Sequence, residues 1–474
     1  MKKKLKIKPI TEPTREEINL KRPNNPKNKK KVVALVLILI AVVILCVVPY
    51  FTIQMINEGQ LEHIFPLDDA LKSQNQTTHY VGDIVRSNPK IVHYPIVENE
   101  TLQANLKANA KTLLNKVQSR DSVQNIDYTS NIINQKYLSL SYSLGDATQL
   151  DLYTLDGQKL GADIIDDTLK KRIFETLRFQ AKQDEHFSDY AYSVEFAQKT
   201  ASQSYPYVFT LMDGQLQIFF DNLLNDQDFM INLPLSSYGG HLALELEAEN
   251  SGKMANISPA PHYVDPNRPM VALTFDDGPR DPSTSALLDI LYEYDATSTF
   301  FVLGNAMLDG TYDNLLIRSI NNGNEIGNHS ISHSDLAALM EKDTPENREK
   351  LSRELNSVSN YINTLTNGAY QVALFRPPYG STNEKVRSAS PHPLAMWNRD
   401  PRDWDVRNAQ AVYDRVLGEA ADGAIYVLHD IHPETVEAMK TAIPALKEAG
   451  YQIVTFSQMM EAKGETMVNG GRYP

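Results

Sequence analysis

Between residues 268 and 463 the chain alternates short apolar runs with amphipathic ones, and this alternation limits its folds more than any other feature of the sequence. The apolar runs are "MVALTF", "TSTFFVLG", "NEIGNHS", "VALFRPP", "PLAMWN", "AIYVLHD" and "YQIVTFSQM". Helix-patterned segments such as "TSALLDILYEY", "RSINNG", "NREKLSRELNSVSNYINTLT" and "AVYDRVLGEA" lie between most of them. Runs that are apolar on successive residues suit strands covered on both faces, and such strands run parallel, joined by crossover helices. The pattern predicts an α/β domain, a distorted (β/α) barrel of about seven parallel strands. In a closed sheet of this kind, functional side chains gather at the C-terminal strand ends.

The polar clusters of this region fall at those ends. "TFDDGP" closes the first run with Asp276 beside Asp277, which is either a solvated turn or two carboxylates with separate tasks. "GNHSISH" closes the third run with His329 and His333. If that stretch is helical, the i, i+4 spacing puts both imidazoles on one face, where they can grip one metal ion. Alone, the pair reads as surface histidines. Beside a carboxylate pair at an equivalent strand end, one Asp and two His make a three-ligand set with open positions, the pattern of a hydrolytic divalent-metal site. "FRPPYG", "NRDPRDWD" and "YVLHDIH" close later runs and bring Arg376, Asp403 beside Trp404, and His429. Singly these read as an ion pair, a packed indole and a capped helix. Five clusters at successive strand ends of one domain are hard to attribute to packing.

Taken in order, T-F-D-D, H-S-x-x-H, R-P-P-Y-G, D-W and the late histidine resemble the five motifs of the NodB-homology polysaccharide deacetylases, carbohydrate esterase family four. The resemblance implies a divalent metal, zinc first with cobalt or manganese as alternatives, held by Asp277, His329 and His333. It makes Asp276 the general base toward water, with Arg376 keeping that carboxylate ionised and in place. Adjacent residues of an extended strand diverge, which would let the two carboxylates face different groups. His429 becomes the general acid toward the departing amine, with Asp403 favouring its imidazolium form. Trp404, Val427 and Leu428 would line a pocket for the acetyl methyl, and a backbone N–H near Tyr379 would steady the oxyanion. The usual Leu-x-His of the last motif reads Val427-Leu428-His429 here, and His432 reads as a supporting or surface residue.

The rest of the chain reads as an anchor and a spacer. Residues 1–31 carry 12 Lys/Arg against 3 Asp/Glu, a net of +9, and include four prolines; they read as a basic cytoplasmic tail. The whole chain is at −13, which leaves about −22 for residues 32–474, a balance unlike that of a nucleic-acid binder. Residues 32–48 are apolar without a break, and residues 32–56 suffice for one transmembrane helix with the lysines inside and everything after it outside. Cys46, the sole cysteine, lies within that run, so no intrachain disulfide can form. Residues 57–135 read as a helical stalk or domain on the stripe Leu102, Leu106, Leu113 and Val117. Residues 136–250 read as an α+β domain, with Asp-Gly hairpin signals in "LDLYTLDGQKL" and "YVFTLMDGQLQIFF" around a helical stripe of Leu169, Ile173, Leu177 and Ala181. A Ser/Asn/Pro-rich linker, 251–267, leads into the domain at 268–463, and 464–474 reads as a tail.

This order of segments looks like that of peptidoglycan N-acetylglucosamine deacetylases of the streptococcal type. The resemblance therefore implies removal of N-acetyl groups from peptidoglycan at the cell surface, with glycan strands as the partner and no obligate protein partner. Two alternatives stand beside it. One is the same chemistry on a chitin-like poly-N-acetylglucosamine or an acetylated xylan. The other is a catalytically silent glycan-binding protein.

Overall fold

The computed structural model describes residues 82–87, 90–117, 125–143, 148–224 and 227–474. The basic tail at 1–31 and the apolar span at 32–56 lie outside the described residues, as do 57–81 and 118–124 of the expected stalk. Among the described residues, no helix is long and apolar enough to cross a membrane.

Strands β1 (Gly82–Ser87) and β2 (Lys90–Pro95) pair antiparallel, and β3 (Asn125–Ile126) joins β2 in parallel. Helix α1 (Glu100–Lys116) starts where the Asn99 side chain accepts the N–H of Leu102, a cap that satisfies one orphan donor. Its buried stripe of Leu102, Leu106, Ala110 and Leu113 shares one apolar cluster with Val92, Tyr94, Leu138 and Tyr142. The last two belong to the antiparallel meander β4 (Tyr128–Ile133), β5 (Tyr137–Ser143) and β6 (Thr148–Thr154). The β4–β5 hairpin thus straddles residue 136, where the sequence alone suggested a division.

Helix α2 (Asp167–Ala181) lays Leu169, Ile173, Leu177 and Ala181 into one cluster with Leu211, Ile218, Phe220 and Ile231. α3 (Val194–Ala201) adds Phe196 to it. The opposing residues come from the antiparallel sheet β7 (Val208–Met212), β8 (Gln215–Leu224) and β9 (Gln227–Pro234). Asp213 and Gly214, at φ 51° and 72°, form the two-residue turn between β7 and β8. Positive φ at both central residues matches the right-handed twist of the flanking strands.

The C-terminal region runs β10 (Met270–Asp276), α4 (Ser283–Glu293), β11 (Thr299–Val302), α5 (Asp313–Asn321), β12 (Glu325–Asn328) and α6 (Pro345–Leu365). It continues with β13 (Leu394–Ala395), α7 (Asp403–Val406), α8 (Ala409–Gly418), β14 (Ala424–His429), α9 (Pro433–Glu448), β15 (Gln452–Ile453) and β16 (Arg472–Tyr473). The parallel order is β12-β11-β10-β14, with β15 paired to the start of β10. Past β12, single parallel bridges join Asn328 to Phe375, Phe375 to Leu394, and Arg399 to Tyr426. Each of the seven apolar runs therefore supplies a parallel segment. The expected tail is not loose, because Arg472 and Tyr473 pair in parallel with Leu394 and Ala395.

β10 is buried at every position, and its two faces differ. Val271, Leu273 and Phe275 join Leu287, Leu291, Met439 and Ile443 of the helices in one cluster. Met270 and Ala272 face Phe301, Leu374 and Ile425 in another. Each such Leu, Ile or Phe contributes about 1.5–3 kcal/mol by burial. The period of two then puts Thr274 and Asp276 on the second face, among the strands and away from the helices.

Candidate active site

β10 delivers Asp276 at its C-terminal end, and Asp277 follows at φ 74°. The divergence expected of an extended pair is replaced by a left-handed turn that brings the carboxylates together. Asp276 Oδ2 lies 3.8 Å, and Asp277 Oδ1 3.6 Å, from Nε2 of His329. Glycine is required at the next position: a Cβ on Gly278 would stand 2.4 Å from the Asp430 carboxylate.

His329 and His333 are not on a helix, which corrects the reading of their spacing. They flank an irregular loop after β12 in which Ser330 and His333 have φ of 72° and 57°. The ring centroids stand 5.1 Å apart. His329 Nδ1 lies 2.8 Å from the carbonyl oxygen of Arg376. A carbonyl only accepts, so Nδ1 carries the proton and Nε2 offers its lone pair. Burial holds this histidine below its ordinary pKa despite the upward pull of Asp276 and Asp277, so the imidazole is the neutral form a metal ligand needs. His333 Nε2 lies 3.4 Å from Asp277 Oδ1.

Asp277 Oδ1 is buried and has no hydrogen-bond partner. The donor atoms of Asp277, His329 and His333 lie within 4.8 Å of one another. An unsatisfied buried carboxylate oxygen facing two imidazole nitrogens is unfavourable until a cation joins them. The donor set, two nitrogens and a carboxylate, fits a divalent ion with positions left open.

Arg376 is wholly buried and uses its fork in several directions. Nη1 donates to Asp276 Oδ1 at 2.9 Å and to Thr274 Oγ1 at 2.6 Å. Nε and Nη2 donate to the carbonyls of Ala395 and Met396 at 2.9 and 3.0 Å. On the neighbouring strand, β14 ends at His429, whose Nδ1 lies 2.9 Å from Asp403 Oδ1. The other Asp403 oxygen accepts the N–H of His429 and the hydroxyl of Thr435, each at 2.7 Å. Burial works against a charged imidazole, yet the bond and charge of Asp403 outweigh it and lift the His429 pKa to about 9.

The remaining expected residues divide. Tyr379 is exposed, at φ 61°, and meets the His333 ring edge-on at 4.5 Å. Trp404 is 48% exposed, under the guanidinium of Arg402. Leu428 is a correction: it lies in the cluster with the helices, on the face of β14 opposite to His429. Val427, two residues before His429, has the site-facing parity. His432 is buried, not on the surface, and its Nδ1 accepts from Arg407 Nη1 at 2.6 Å. Sequence reasoning missed Thr274, Thr435, Asp430 and Glu354. Strand parity marks Thr274; Glu354, inside a polar helix, carried no signal. Asp430 is buried beside Gly278, which pushes its carboxyl up to about 7.

With this geometry in hand, comparison with known proteins is direct. The polysaccharide deacetylase model matches residues 263–393. Peptidoglycan-N-acetylmuramic acid deacetylase PdaC of Bacillus subtilis is 40% identical over 205 residues, 43% of this chain and 42% of that protein. Peptidoglycan-N-acetylglucosamine deacetylase PgdA of Listeria monocytogenes is 34% identical over 203 residues, 43% of this chain and 41% of the relative. A peptidoglycan-N-acetylglucosamine deacetylase of Bacillus cereus is 33% identical over 205 residues, 42% of this chain and 91% of the relative. The chain belongs to the polysaccharide deacetylase family. It spans less than half the length of the first two of these relatives.

Proposed function

We propose that this chain is a metal-dependent hydrolase that removes N-acetyl groups from the hexosamines of peptidoglycan, N-acetylglucosamine foremost. One observation carries the reading: Asp276 and His429 are register partners on adjacent parallel strands. Side chains at one register position of neighbouring strands face the same way, about 5 Å apart. A carboxylate that can take a proton and an imidazolium that can give one thus stand side by side above the donor set of Asp277, His329 and His333.

A divalent ion held by those three residues, zinc first, would supply Lewis acidity to the acyl oxygen and to the attacking water. Asp276, held in place by Arg376, takes the water's proton as oxygen adds to the acyl carbon. His429, charged through Asp403, then gives a proton to nitrogen as the C–N bond breaks, leaving acetate and a free amine. Trp404, Val427 and Tyr379 border the acyl group in this reading. The bridged path through Phe375, Leu394 and Arg399 is taken as a distorted barrel, and the division at residues 251–267 and the anchor at 32–56 as the means of holding it at the outer membrane face. The relatives named for peptidoglycan support the polymer. The 40% identity to a muramic acid deacetylase favours N-acetylmuramic acid as the second reading of the sugar.

The test is to incubate the purified full-length chain with isolated peptidoglycan, digest it with a muramidase, and locate the free amine by fragmentation mass spectrometry. Loss of acetyl from N-acetylglucosamine bears out the proposal, and loss from N-acetylmuramic acid moves it to the second sugar. Release from chitooligosaccharides or acetylated xylan alone would overturn the polymer.

A further inference from the structure

We infer that Glu354 is a positioning residue for the metal site, setting divalent-cation affinity by holding the loop that carries His333. The inference rests on the metal reading above. Glu354 sits on α6, and its side chain is buried. Its Oε2 accepts the N–H groups of Ile331 at 2.7 Å and Ser332 at 3.0 Å, and its Oε1 accepts the Ser332 hydroxyl at 2.7 Å. All three donors lie between the two histidines.

The histidines do not depend on that loop equally. His329 is fixed at the strand end, its N–H bonded to the Val302 carbonyl at 3.0 Å and its Nδ1 to the Arg376 carbonyl. His333 follows the left-handed Ser330 and is itself left-handed, at φ 57°, and its N–H is held by Ser330 Oγ at 3.1 Å. Its ring meets Tyr379 edge-on at 4.5 Å and lies 5.1 Å from the ring of His329, with Nε2 3.4 Å from Asp277 Oδ1. The course of residues 330–333 therefore decides where Nε2 of His333 points. Two backbone N–H groups gathered on one carboxylate oxygen fix that course. The chain returns to α6 a second time, where Asn328 Nδ2 donates to the Leu355 carbonyl at 2.8 Å.

Geometry, rather than the charge of Glu354, is what the site needs. A glutamine can keep its oxygen toward the two N–H groups and turn its NH2 to Ser332, whose hydroxyl then accepts. An aspartate keeps the charge but withdraws it by one methylene. Zn2+ affinity of the metal-free full-length chain, measured by competition with a chromophoric chelator, separates these cases. Glu354→Ala and Glu354→Asp should weaken Zn2+ binding about 10- to 100-fold, as loss of outer support for metal ligands typically does. Glu354→Gln should stay within about threefold of wild type, below the lower bound of that loss. Leu351→Ala, a buried apolar residue of the same helix, should lower Tm and leave the affinity unchanged.

Wild-type affinity in both Glu354→Asp and Glu354→Ala would overturn the inference while leaving the metal reading intact. If Glu354→Ala does not fold, Glu354→Asp alone decides. Equal weakening in Leu351→Ala would also overturn it, since any loosening of α6 would then suffice. Failure of the wild-type chain to bind Zn2+ would take down the metal reading together with the inference.

Discussion

Arg376 Nη1 lies 2.9 Å from Asp276 Oδ1, and both side chains are closed off from solvent. Breaking a buried pair from one side leaves an uncompensated charge, which costs about 3–5 kcal/mol. Arg376→Ala should therefore lower unfolding stability by that amount in urea titrations and abolish deacetylation. Arg376→Lys should recover little of either, because an ammonium cannot serve the acceptors on Asp276, Thr274, Ala395 and Met396 that the planar fork reaches.

In the metal-free chain His429 titrates near 9, above its ordinary value of about 6.5. The folded state binds the proton more tightly than the unfolded one, so this stabilisation is fully present below about pH 6.5 and is lost as pH rises through about 9. Asp403→Asn removes the largest upward pull on the pKa and leaves burial, which lowers it, against the smaller upward pull of Asp276 and Asp277. NMR titration of the imidazole should show the midpoint falling to or below the ordinary histidine value.

Strand parity separates Leu428 from Val427. Leu428 is fully buried against the helices, so Leu428→Ala should cost about 2–5 kcal/mol of stability with KM unchanged. Val427→Phe should do the reverse, raising KM for the acetylated substrate. Steady-state kinetics beside denaturation of the two variants checks this. A KM change confined to Leu428→Ala would reverse the assignment.

Asp295 ties the middle region to the C-terminal one. It is buried 2.6 Å from Lys182 and 3.8 Å from Arg178, both from the α2 segment, and 3.6 Å from His262 of the linker. Burial alone would raise its pKa, but Lys182, Arg178 and Lys447 hold it well below the ordinary carboxylate range. Asp295→Ala should lower stability by about 3–5 kcal/mol. Asp295 precedes β11, at the end of the sheet away from the site, so Zn2+ affinity should not change. Calorimetry and chelator competition on one sample test both halves.

Much of this was legible because the periodicities are strong. The stripe of Leu169, Ile173, Leu177 and Ala181 gave α2, and Asp213-Gly214 gave its hairpin, since each residue's local preference agrees with the fold. "VALFRPP" was less legible: it pairs only through Phe375, next to Arg376 and the prolines 377 and 378, which lack the N–H a ladder needs. The site residues were found by type and strand-end position, but not their geometry. Left-handed backbone at Asp277, Ser330 and His333 is set by tertiary contacts such as those of Glu354 and Asp430, and no local pattern encodes them. The pairing of Arg472–Tyr473 with β13 was likewise invisible in a short polar segment.

The most direct measurement is acetate released from purified peptidoglycan by the full-length chain, before and after chelation, beside Asp276→Asn and Asp277→Asn. The account predicts release that stops with chelator and returns with Zn2+. It predicts near-total loss in Asp276→Asn with Zn2+ still bound, and loss of both release and Zn2+ affinity in Asp277→Asn. Undiminished release from the chelated chain, or from Asp276→Asn, would contradict it.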